Sequence, residues 1–324
     1  MTDPRFAFLV HPLVGWHRRL VGVRRGHARL AIAGEAGIEA VGAAGQIALP
    51  TATGYVPGLI LTVPDTATQL VADQGRALAL QERAGREAVA AGVVAIGLGN
   101  ALAVVAGRGA LLAERLPVPV TTGHAATSWA TTQVTLQVLD GARGPVGVLG
   151  FKSTVGDAIA RMLLATGCEV WVDATGAAAE RRAAQIGARF APMTEVVGRC
   201  RVLVGAATTG PMLHPAALRV GTTLIDLALP PTLYPGRLPG EVRVVAGEPL
   251  RAPDRVRTDG WGRLWLTVAN YGRGCVYACL AEPLALTLTA ERGFSEGRRL
   301  DLERVEAMGT LLTRNGYVPV VRPR

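Results

Sequence analysis

Residues 146–156 read VGVLGFKSTVG, and this stretch decides the fold class. Its first four residues, Val146–Leu149, are apolar and uncharged, which is typical of a parallel strand buried on both faces. The strand ends at Gly150, and a helical pattern follows from Asp157 to Leu164. A strand that turns sharply into a helix at glycine is the opening unit of a doubly wound α/β sheet.

The same alternation of strand and helix continues downstream. Glu169–Val172 predicts a second strand, and Ala177–Ile186 predicts the helix after it. Two further apolar runs predict strands near Val202–Val204 and Thr223–Ile225. We therefore predict a Rossmann-like, doubly wound parallel sheet over residues 140–259.

A chain of 324 residues is long enough for two domains, and we predict an α/β domain over residues 1–139 that helices within 260–324 complete. The elements predicted for residues 1–139 are strands at Phe6–Val10, Gln46–Leu49, Leu59–Val63, Val93–Ile96 and Pro119–Thr122, a long helix over Thr66–Ala91 capped by Asp65, and a helix over His124–Leu139. The C-terminal part is predicted to contain the apolar segment Leu264–Val268 and helices near Val276–Leu288 and Leu302–Thr313.

The composition excludes several classes of protein. Hydrophobic residues make up 49% and charged residues 18%, which is too apolar for an intrinsically disordered chain. The four cysteines form no CxxC pair and have no histidine at metal-ligand spacing, so we predict a reduced, cytoplasmic protein without a metal site. The uncharged window Ala88–Gly107 is interrupted by glycines, which favours a strand and turn over a membrane span.

The charge balance predicts an anionic partner. The formal net charge is +9, from 34 basic and 25 acidic residues, and Lys152 is the only lysine. Aromatic residues are only 5% and are not interleaved with basic runs, so we predict no nucleic-acid binding. An acidic protein or a phosphate-bearing ligand fits the surplus, and weak association with an anionic membrane surface is a further expectation. The sequence predicts no oligomeric state.

The glycine turn predicts a dinucleotide site. Backbone N–H groups and the positive end of a helix meet there, where a pyrophosphate can bind. Asp173 ends the second strand, where a carboxylate can accept a hydrogen bond from a ribose 2′-hydroxyl. Such a carboxylate favours NADH over NADPH. Ser153 stands at the middle glycine of the G-x-G-x-x-G pattern, so the match is partial and a plain turn without ligand stays open. The predicted cofactor-binding residues are Gly150, Lys152, Ser153, Thr154, Val155, Gly156, Asp173, Ala206 and Thr208.

The cysteines and histidines give weaker signals. Cys275 and Cys279 are predicted to share one face of a helix, and Pro283 cannot donate a hydrogen bond to the carbonyl of Cys279. His11 follows the first predicted strand, and His124 stands at a predicted helix start. Sequence spacing alone does not bring any of these residues into a catalytic set.

Several blocks resemble the cyanobacterial-type long-chain acyl-[acyl-carrier-protein] reductases, which reduce fatty acyl thioesters to fatty aldehydes. The blocks are Phe8–His11, Thr121–Gly123, Leu224–Asp226, Tyr277–Glu282, Phe294–Arg298, Glu306–Gly309 and Gly316–Pro319. The resemblance implies that Cys279 is a nucleophile that forms an acyl-enzyme and that the reductant is NADPH. It also implies an acyl-carrier protein, which is acidic, or acyl-CoA as the substrate, and an acyl tunnel in the first domain.

The expected function is therefore reduction of an acyl thioester to an aldehyde with NAD(P)H. One alternative is an NAD(P)-dependent dehydrogenase that acts on a small carbonyl or imine without covalent catalysis. Another is a protein that binds a dinucleotide without catalysis. The spacing of the residues leaves all three open.

Overall fold

The computed structural model describes residues 5–11, 42–141, 144–208, 210–228, 231–259 and 274–324. The chain divides into two compact units, and both contain helices packed on a largely parallel sheet, which confirms the predicted α/β class. The first unit comprises Met1–His124, Ala252–Arg298 and Thr310–Tyr317. The second comprises Ala125–Arg251, Arg299–Gly309 and Val318–Arg324. The predicted segment Leu264–Val268 lies outside the described residues.

The elements of the described residues are numbered in chain order. The strands are β1 (Phe6–Val10), β2 (Gly42–Thr51), β3 (Gly54–Thr62), β4 (Ala95–Leu98), β5 (Val120–Thr121), β6 (Val146–Leu149), β7 (Val170–Asp173), β8 (Arg189–Ala191), β9 (Val202–Gly205), β10 (Thr223–Asp226), β11 (Arg243–Ala246), β12 (Pro249–Arg251), β13 (Arg257–Thr258), β14 (Cys275–Tyr277) and β15 (Val318–Pro319). The α-helices are α1 (Ala67–Ala72), α2 (Gln74–Ala90), α3 (Ala110–Ala113), α4 (His124–Leu139), α5 (Thr154–Ala165), α6 (Ala177–Ile186), α7 (Met193–Arg199), α8 (Ala278–Thr289) and α9 (Leu302–Arg314).

The sheet of the first unit has the strand order β13-β2-β3-β1-β4-β5. The strands β3, β1, β4 and β5 run parallel, whereas β2 pairs antiparallel with both β3 and β13. The two strands predicted at Gln46–Leu49 and Leu59–Val63 are parts of the longer hairpin β2–β3. The carboxyl ends of β1, β4 and β5 thus meet at one edge, where α/β sheets bind ligands.

The predicted single helix over Thr66–Ala91 is wrong, because the chain forms the two helices α1 and α2. The cap of α1 is Thr66, whose side chain and that of Gln69 form a reciprocal capping box. Asp73 ends α1 and caps α2 by accepting a hydrogen bond from the backbone N–H of Arg76. The predicted cap, Asp65, is instead buried and paired with the Arg76 guanidinium at 2.6 Å. A second capping side chain, Asp73, therefore starts a new helix directly after the six residues of α1.

The sheet of the second unit is fully parallel, with the order β11-β10-β9-β6-β7-β8. This is the doubly wound order: the chain adds β7 and β8 on one side of β6, then returns to add β9, β10 and β11 on the other side. The crevice between the two halves lies at the carboxyl ends of β6 and β9. All four residues of β6 are buried, as the apolar run predicts. The Rossmann-like sheet is confirmed. The short elements β8 and α7 were not predicted from the sequence.

The predicted helical pairing of Cys275 with Cys279 is wrong. Cys275 lies in β14, and α8 begins only at Ala278, after Tyr277 in an extended conformation. The two cysteines therefore do not share a helix face. Within the described residues, no helix is long and apolar enough to cross a membrane, and no three His, Cys, Asp or Glu residues cluster as metal ligands.

Candidate functional site

The turn between β6 and α5 needs its two glycines because other backbone atoms approach closely. Gly150 has φ +86, and a Cβ built there would lie 2.6 Å from the backbone nitrogen of Ala207. A Cβ on Gly156 would lie 2.4 Å from the carbonyl oxygen of Gly150. These distances exclude any side chain, so the glycines allow the strand, the turn and the helix to pack together.

Ser153, the departure from the glycine pattern, is the N-cap of α5. Its hydroxyl oxygen accepts a hydrogen bond from the N–H of Gly156 at 2.9 Å and donates one to the carbonyl of Ala206 at 2.9 Å. Serine is a favoured N-cap because its oxygen satisfies a backbone N–H in the first turn. The side chain therefore ties the turn to the chain that follows β9.

Asp173 binds the glycine turn itself. Its two carboxylate oxygens accept hydrogen bonds from the N–H groups of Gly150 and Phe151, each at 2.9 Å. Burial raises the pKa of Asp173, although these two hydrogen bonds and the charge of Lys152 act in the opposite direction. The predicted partner of this carboxylate is a ribose hydroxyl, which would have to share oxygens that already hold the turn.

The remaining predicted cofactor residues fall into two groups. Thr154 and Val155 are buried at the start of α5, and Ala206 is buried just after β9. Lys152 and Thr208 are exposed. Five of the predicted residues thus lie together: Gly150, Ser153 and Gly156 around the turn, with Asp173 and Ala206 bonded to it.

An acidic side chain on the first turn of α5 is neutralised by arginines. Asp157 is paired with Arg161 at 2.8 Å and with Arg182 of α6 at 2.7 Å. Without these pairs its charge would oppose a phosphate at the helix N-terminus. The two ion pairs remove this repulsion, and two N–H groups of the glycine turn already donate hydrogen bonds to Asp173.

Cys279 of the first unit lies in the first turn of α8 and is partly exposed, whereas the other three cysteines are buried. Burial raises the pKa of the Cys200 thiol to about 11, which keeps that thiol protonated near neutral pH. The N-terminus of a helix stabilises negative charge, including that of a thiolate. Of the four thiols, Cys279 has the position best suited to nucleophilic chemistry.

The loop after β5 packs directly on Cys279. Gly123 has φ +74, and a Cβ there would lie 2.4 Å from the Cβ of Cys279. The N–H of Gly123 donates to the hydroxyl of Thr121 at 3.0 Å, and this hydroxyl in turn donates to the buried carboxylate of Glu282. Glu282 is one turn after Cys279 on α8, so the two hydrogen bonds hold the loop against the cysteine.

The helix that carries Cys279 is fixed on the sheet by a close contact. A Cβ on Gly97 of β4 would lie 2.7 Å from the ring of Pro283. The helix continues through Pro283, although proline has no N–H to offer the carbonyl of Cys279. Neither the Gly97 contact nor the Glu282 contact is visible in the sequence, because the partners are more than 150 residues apart.

The two histidines near the same sheet edge differ in environment. The Nε2 of buried His11 accepts a hydrogen bond from the N–H of Ala101 at 3.1 Å, so it orders the loop after β4. The Nδ1 of His124 is buried and has no hydrogen-bond partner among the described residues. Burial and the charge of Arg108 lower the pKa of His124 to about 4, so the ring is neutral at pH 7.

Comparison with protein families yields no match to a family model. Among curated proteins, the chain is 28% identical over 290 residues to the aminotransferase PigE of Serratia sp. (strain ATCC 39006). The match covers 83% of this chain and 33% of that protein. The chain thus spans about a third of the length of this curated relative.

Solved structures that this chain resembles in part include a dehydrogenase and a transhydrogenase. L-tryptophan dehydrogenase from Nostoc punctiforme is 13% identical with a TM-score of 0.36, over 72% of this chain and 66% of that chain. A transhydrogenase from Sinorhizobium meliloti is 16% identical with a TM-score of 0.31, over 47% of this chain and 60% of that chain. Similarity at this level assigns no activity, because one fold hosts many unrelated functions.

Proposed function

We propose that the chain is a nicotinamide-dependent reductase that converts an acyl thioester to an aldehyde through Cys279. The observation that carries this proposal is the partly exposed Cys279 in the first turn of α8, with Gly123 packed on it. The resemblance of the segment Tyr277–Glu282 to that of the acyl-[acyl-carrier-protein] reductases supports it.

Cys279 would act as the nucleophile. Its sulfur attacks the thioester carbonyl, a new C–S bond forms, the bond to the carrier sulfur breaks, and the released carrier thiolate takes up the proton of Cys279. The exchange replaces one thioester with another, so it needs little driving force. The contact with Gly123 limits where the Cys279 side chain can point.

The second unit would hold the cofactor. When bound, a reduced nicotinamide supplies the hydride that converts the acyl group to an aldehyde, and Cys279 then leaves the acyl carbon as a thiolate. Gly150 and Gly156 allow the backbone of the turn to pack closely at the start of α5, and Asp157 is neutralised by its arginines. We propose NADH as the reductant, since the Asp173 carboxylate would repel a 2′-phosphate, whereas the resemblance implies NADPH.

The substrate would be carried by an acidic acyl-carrier protein or by coenzyme A. Both are anionic, and the chain has a net charge of +9. Complementary charge raises the rate of encounter between such partners.

The proposal is tested by intact-protein mass spectrometry after mixing with acyl thioesters in the absence of nicotinamide. We expect a mass increase equal to one acyl group in the wild type and in the Cys168→Ser control, and none in Cys279→Ser. The control removes a buried cysteine of the second unit, so it separates nucleophilicity from thiol content. An adduct that persists in Cys279→Ser, or no adduct with any thioester, contradicts the proposal.

A second candidate is a dehydrogenase that reduces a small carbonyl or imine without a covalent intermediate. The glycine turn and Asp173 favour it, because this site involves neither Cys279 nor the loop packed on it. In that case alkylation of Cys279 leaves turnover intact. We do not carry over an aminotransferase activity, because such enzymes need a lysine for a Schiff base and the only lysine, Lys152, lies in the glycine turn.

A further inference from the structure

The loop after β5 is held from two sides by the buried side chains of consecutive threonines, Thr121 and Thr122. On one side, the Thr121 hydroxyl donates a hydrogen bond to the carboxylate of Glu282 on α8. On the other side, Thr122 donates to the carbonyl of Ser295, from its N–H at 3.3 Å and from its hydroxyl at 2.6 Å. All four residues belong to the first unit. We call Thr121 and Thr122 the threonine clamp.

The direction of each hydrogen bond in the threonine clamp follows from its partners. The N–H of Gly123 donates to the Thr121 hydroxyl at 3.0 Å, and the single proton of that hydroxyl goes to Glu282. The Ser295 carbonyl can only accept, so the Thr122 hydroxyl donates to it. A valine at either position keeps the shape of the side chain but removes the hydroxyl. It therefore takes one partner away from buried polar groups, which is costly.

The threonine clamp bears on Cys279 because the next residue, Gly123, packs on that cysteine. A Cβ on Gly123 would lie 2.4 Å from the Cβ of Cys279 and 3.0 Å from its carbonyl oxygen. The loop therefore leaves no room for even a methyl group between the two residues. Cys279 is nevertheless partly exposed. While the loop stays in place, a reagent or substrate must approach the thiol from a side that the loop does not cover.

We propose that Thr121 and Thr122 are positioning residues that control access to the Cys279 thiol by holding the loop after β5 against it. Glu282 and Ser295 anchor the loop on its two sides. With both anchors in place, the thiol is presented in one direction. When either hydrogen bond is lost, the loop opens more often, and the thiol is then reached from more directions but is less well oriented.

This inference rests on the proposed function only in taking Cys279 as the reactive thiol. It does not depend on which group the thiol attacks, because alkylating reagents report access to the sulfur without an acyl substrate. It is also independent of the glycine turn, which belongs to the second unit. Failure of acyl transfer and failure of the threonine clamp therefore give different results.

The experiment measures how fast Cys279 of the full chain reacts with a small reagent, iodoacetamide, and with a bulky one, fluorescein maleimide. Fragmentation of the labelled peptide by mass spectrometry distinguishes Cys279 from the buried Cys275. Both reagents need the thiolate, so the ratio of the bulky to the small rate reports access to the sulfur. We expect this ratio to rise about tenfold in Thr121→Val and in Thr122→Val, which is the effect of one lost buried hydrogen bond on a local opening equilibrium.

Control variants separate positioning from stability. Thr121→Ser and Thr122→Ser keep the hydroxyls, so we expect ratios close to that of the wild type. Thr287→Val is the matched control, because the Thr287 hydroxyl donates to the carbonyl of Leu284 at 2.7 Å within the same helix, α8. Thr287 lies more than two turns after Cys279. This variant should leave the ratio unchanged, whatever it does to the midpoint of thermal unfolding.

The rate of acyl-adduct formation from an acyl thioester forms the second arm of the experiment. We expect it to fall in both valine variants while alkylation by the bulky reagent becomes faster, because orientation is lost as access is gained. A role in stability alone would not move the two rates in opposite directions. If the wild type forms no acyl adduct, the proposed function fails, and the ratio of alkylation rates still decides whether the threonine clamp controls access.

Three results would overturn the inference. One is a wild-type ratio in the folded valine variants; if Thr121→Val does not fold, Thr122→Val decides, because each variant releases one side of the loop. The second is a rise in Thr287→Val as large as in the valine variants of the threonine clamp. The third is a rise in the serine variants equal to that in the valine variants, which would show that the hydroxyls do not hold the loop.

Discussion

At the scale of single residues, polar side chains bind backbone atoms at the turns of both units. Asp173 accepts hydrogen bonds from two N–H groups of the glycine turn, and the Ser153 hydroxyl donates a hydrogen bond from the same turn to the carbonyl of Ala206. The hydroxyl of Thr121 accepts a hydrogen bond from the N–H of Gly123 in the loop beside Cys279. Such contacts fix the path of the chain at a turn, because a buried backbone N–H without a partner is costly.

We expect Asp173 to make stability fall as pH rises above the ordinary carboxyl range. Burial raises the pKa of Asp173, so the folded protein holds its proton more tightly than the unfolded chain does. The free energy of unfolding therefore decreases as pH rises through the folded pKa, by about 1.4 kcal/mol for each unit of upward shift. The Asp173→Asn variant lacks this decrease.

Urea unfolding of both proteins from about pH 4 to about pH 7 checks this. The difference in unfolding free energy between wild type and Asp173→Asn should change with pH in the stated direction. Ser153→Ala serves as the control, because it removes a hydrogen bond of the same turn without removing a titrating group. Parallel pH profiles for wild type and Asp173→Asn would show that the carboxylate is not responsible.

At the scale of elements, the position of Cys279 depends on how tightly α8 packs on the loop after β5. A Cβ on Gly123 would lie 2.4 Å from the Cβ of Cys279, and a Cβ on Gly97 of β4 would lie 2.7 Å from the ring of Pro283, so only glycine fits at either contact. A helix held at two successive turns cannot shift without opening both contacts. The thiol is therefore held in place by packing, and Glu282 reinforces this packing through Thr121.

We expect Gly123→Ala to destabilise the first unit and to slow acylation of Cys279. The new methyl group would lie 2.4 Å from the Cβ of Cys279, and the position has φ +74. Together, overpacking and the left-handed conformation should cost about 2–5 kcal/mol. Gly92→Ala is the matched control, because Gly92 has φ +87 and nothing lies within 4 Å of its Cβ position.

The measurements are the midpoint of thermal unfolding and the rate of acyl-adduct formation. Gly92→Ala should lose only about 1–2 kcal/mol and keep the acylation rate, since it adds conformational strain alone. If both variants behaved alike, the packing of Gly123 on Cys279 would have no role beyond backbone conformation.

At the scale of the whole molecule, charge is the property that bears on partners. The net charge of +9 comes almost entirely from arginine, which binds phosphates and carboxylates through a planar fork. Many of these arginines pair with acids, as Arg182 does with Asp157.

We expect the KM for an acyl-carrier protein substrate to rise with ionic strength while kcat stays nearly constant. Between about 0.05 M and about 0.5 M salt the Debye length shortens several-fold, which screens attraction between the basic enzyme and an acidic carrier. Steady-state kinetics with the carrier thioester and with the same acyl group on pantetheine provide the comparison. A KM that is equally insensitive to salt for both substrates would argue against an acidic carrier protein.

The sequence by itself determined the parts of this protein that depend on neighbours along the chain. The apolar run Val146–Leu149 followed by Gly150 predicted a buried parallel strand and its turn, and the structure confirms both. The spacing of apolar residues also predicted α4 and α6 with the observed bounds. It failed at Asp65 and Cys275, because capping by Asp73 and the extended Tyr277 are local choices that apolar periodicity does not encode.

Only the tertiary structure decided which distant side chains meet. Asp173 reaches Gly150 because β7 lies beside β6, and Gly123 reaches Cys279 because α8 packs on the sheet of the first unit. Thr122 reaches the carbonyl of Ser295, 173 positions further along the chain, through its hydroxyl. No spacing rule relates such residues, since the free energy of packing the cores, rather than local conformation, brings them together.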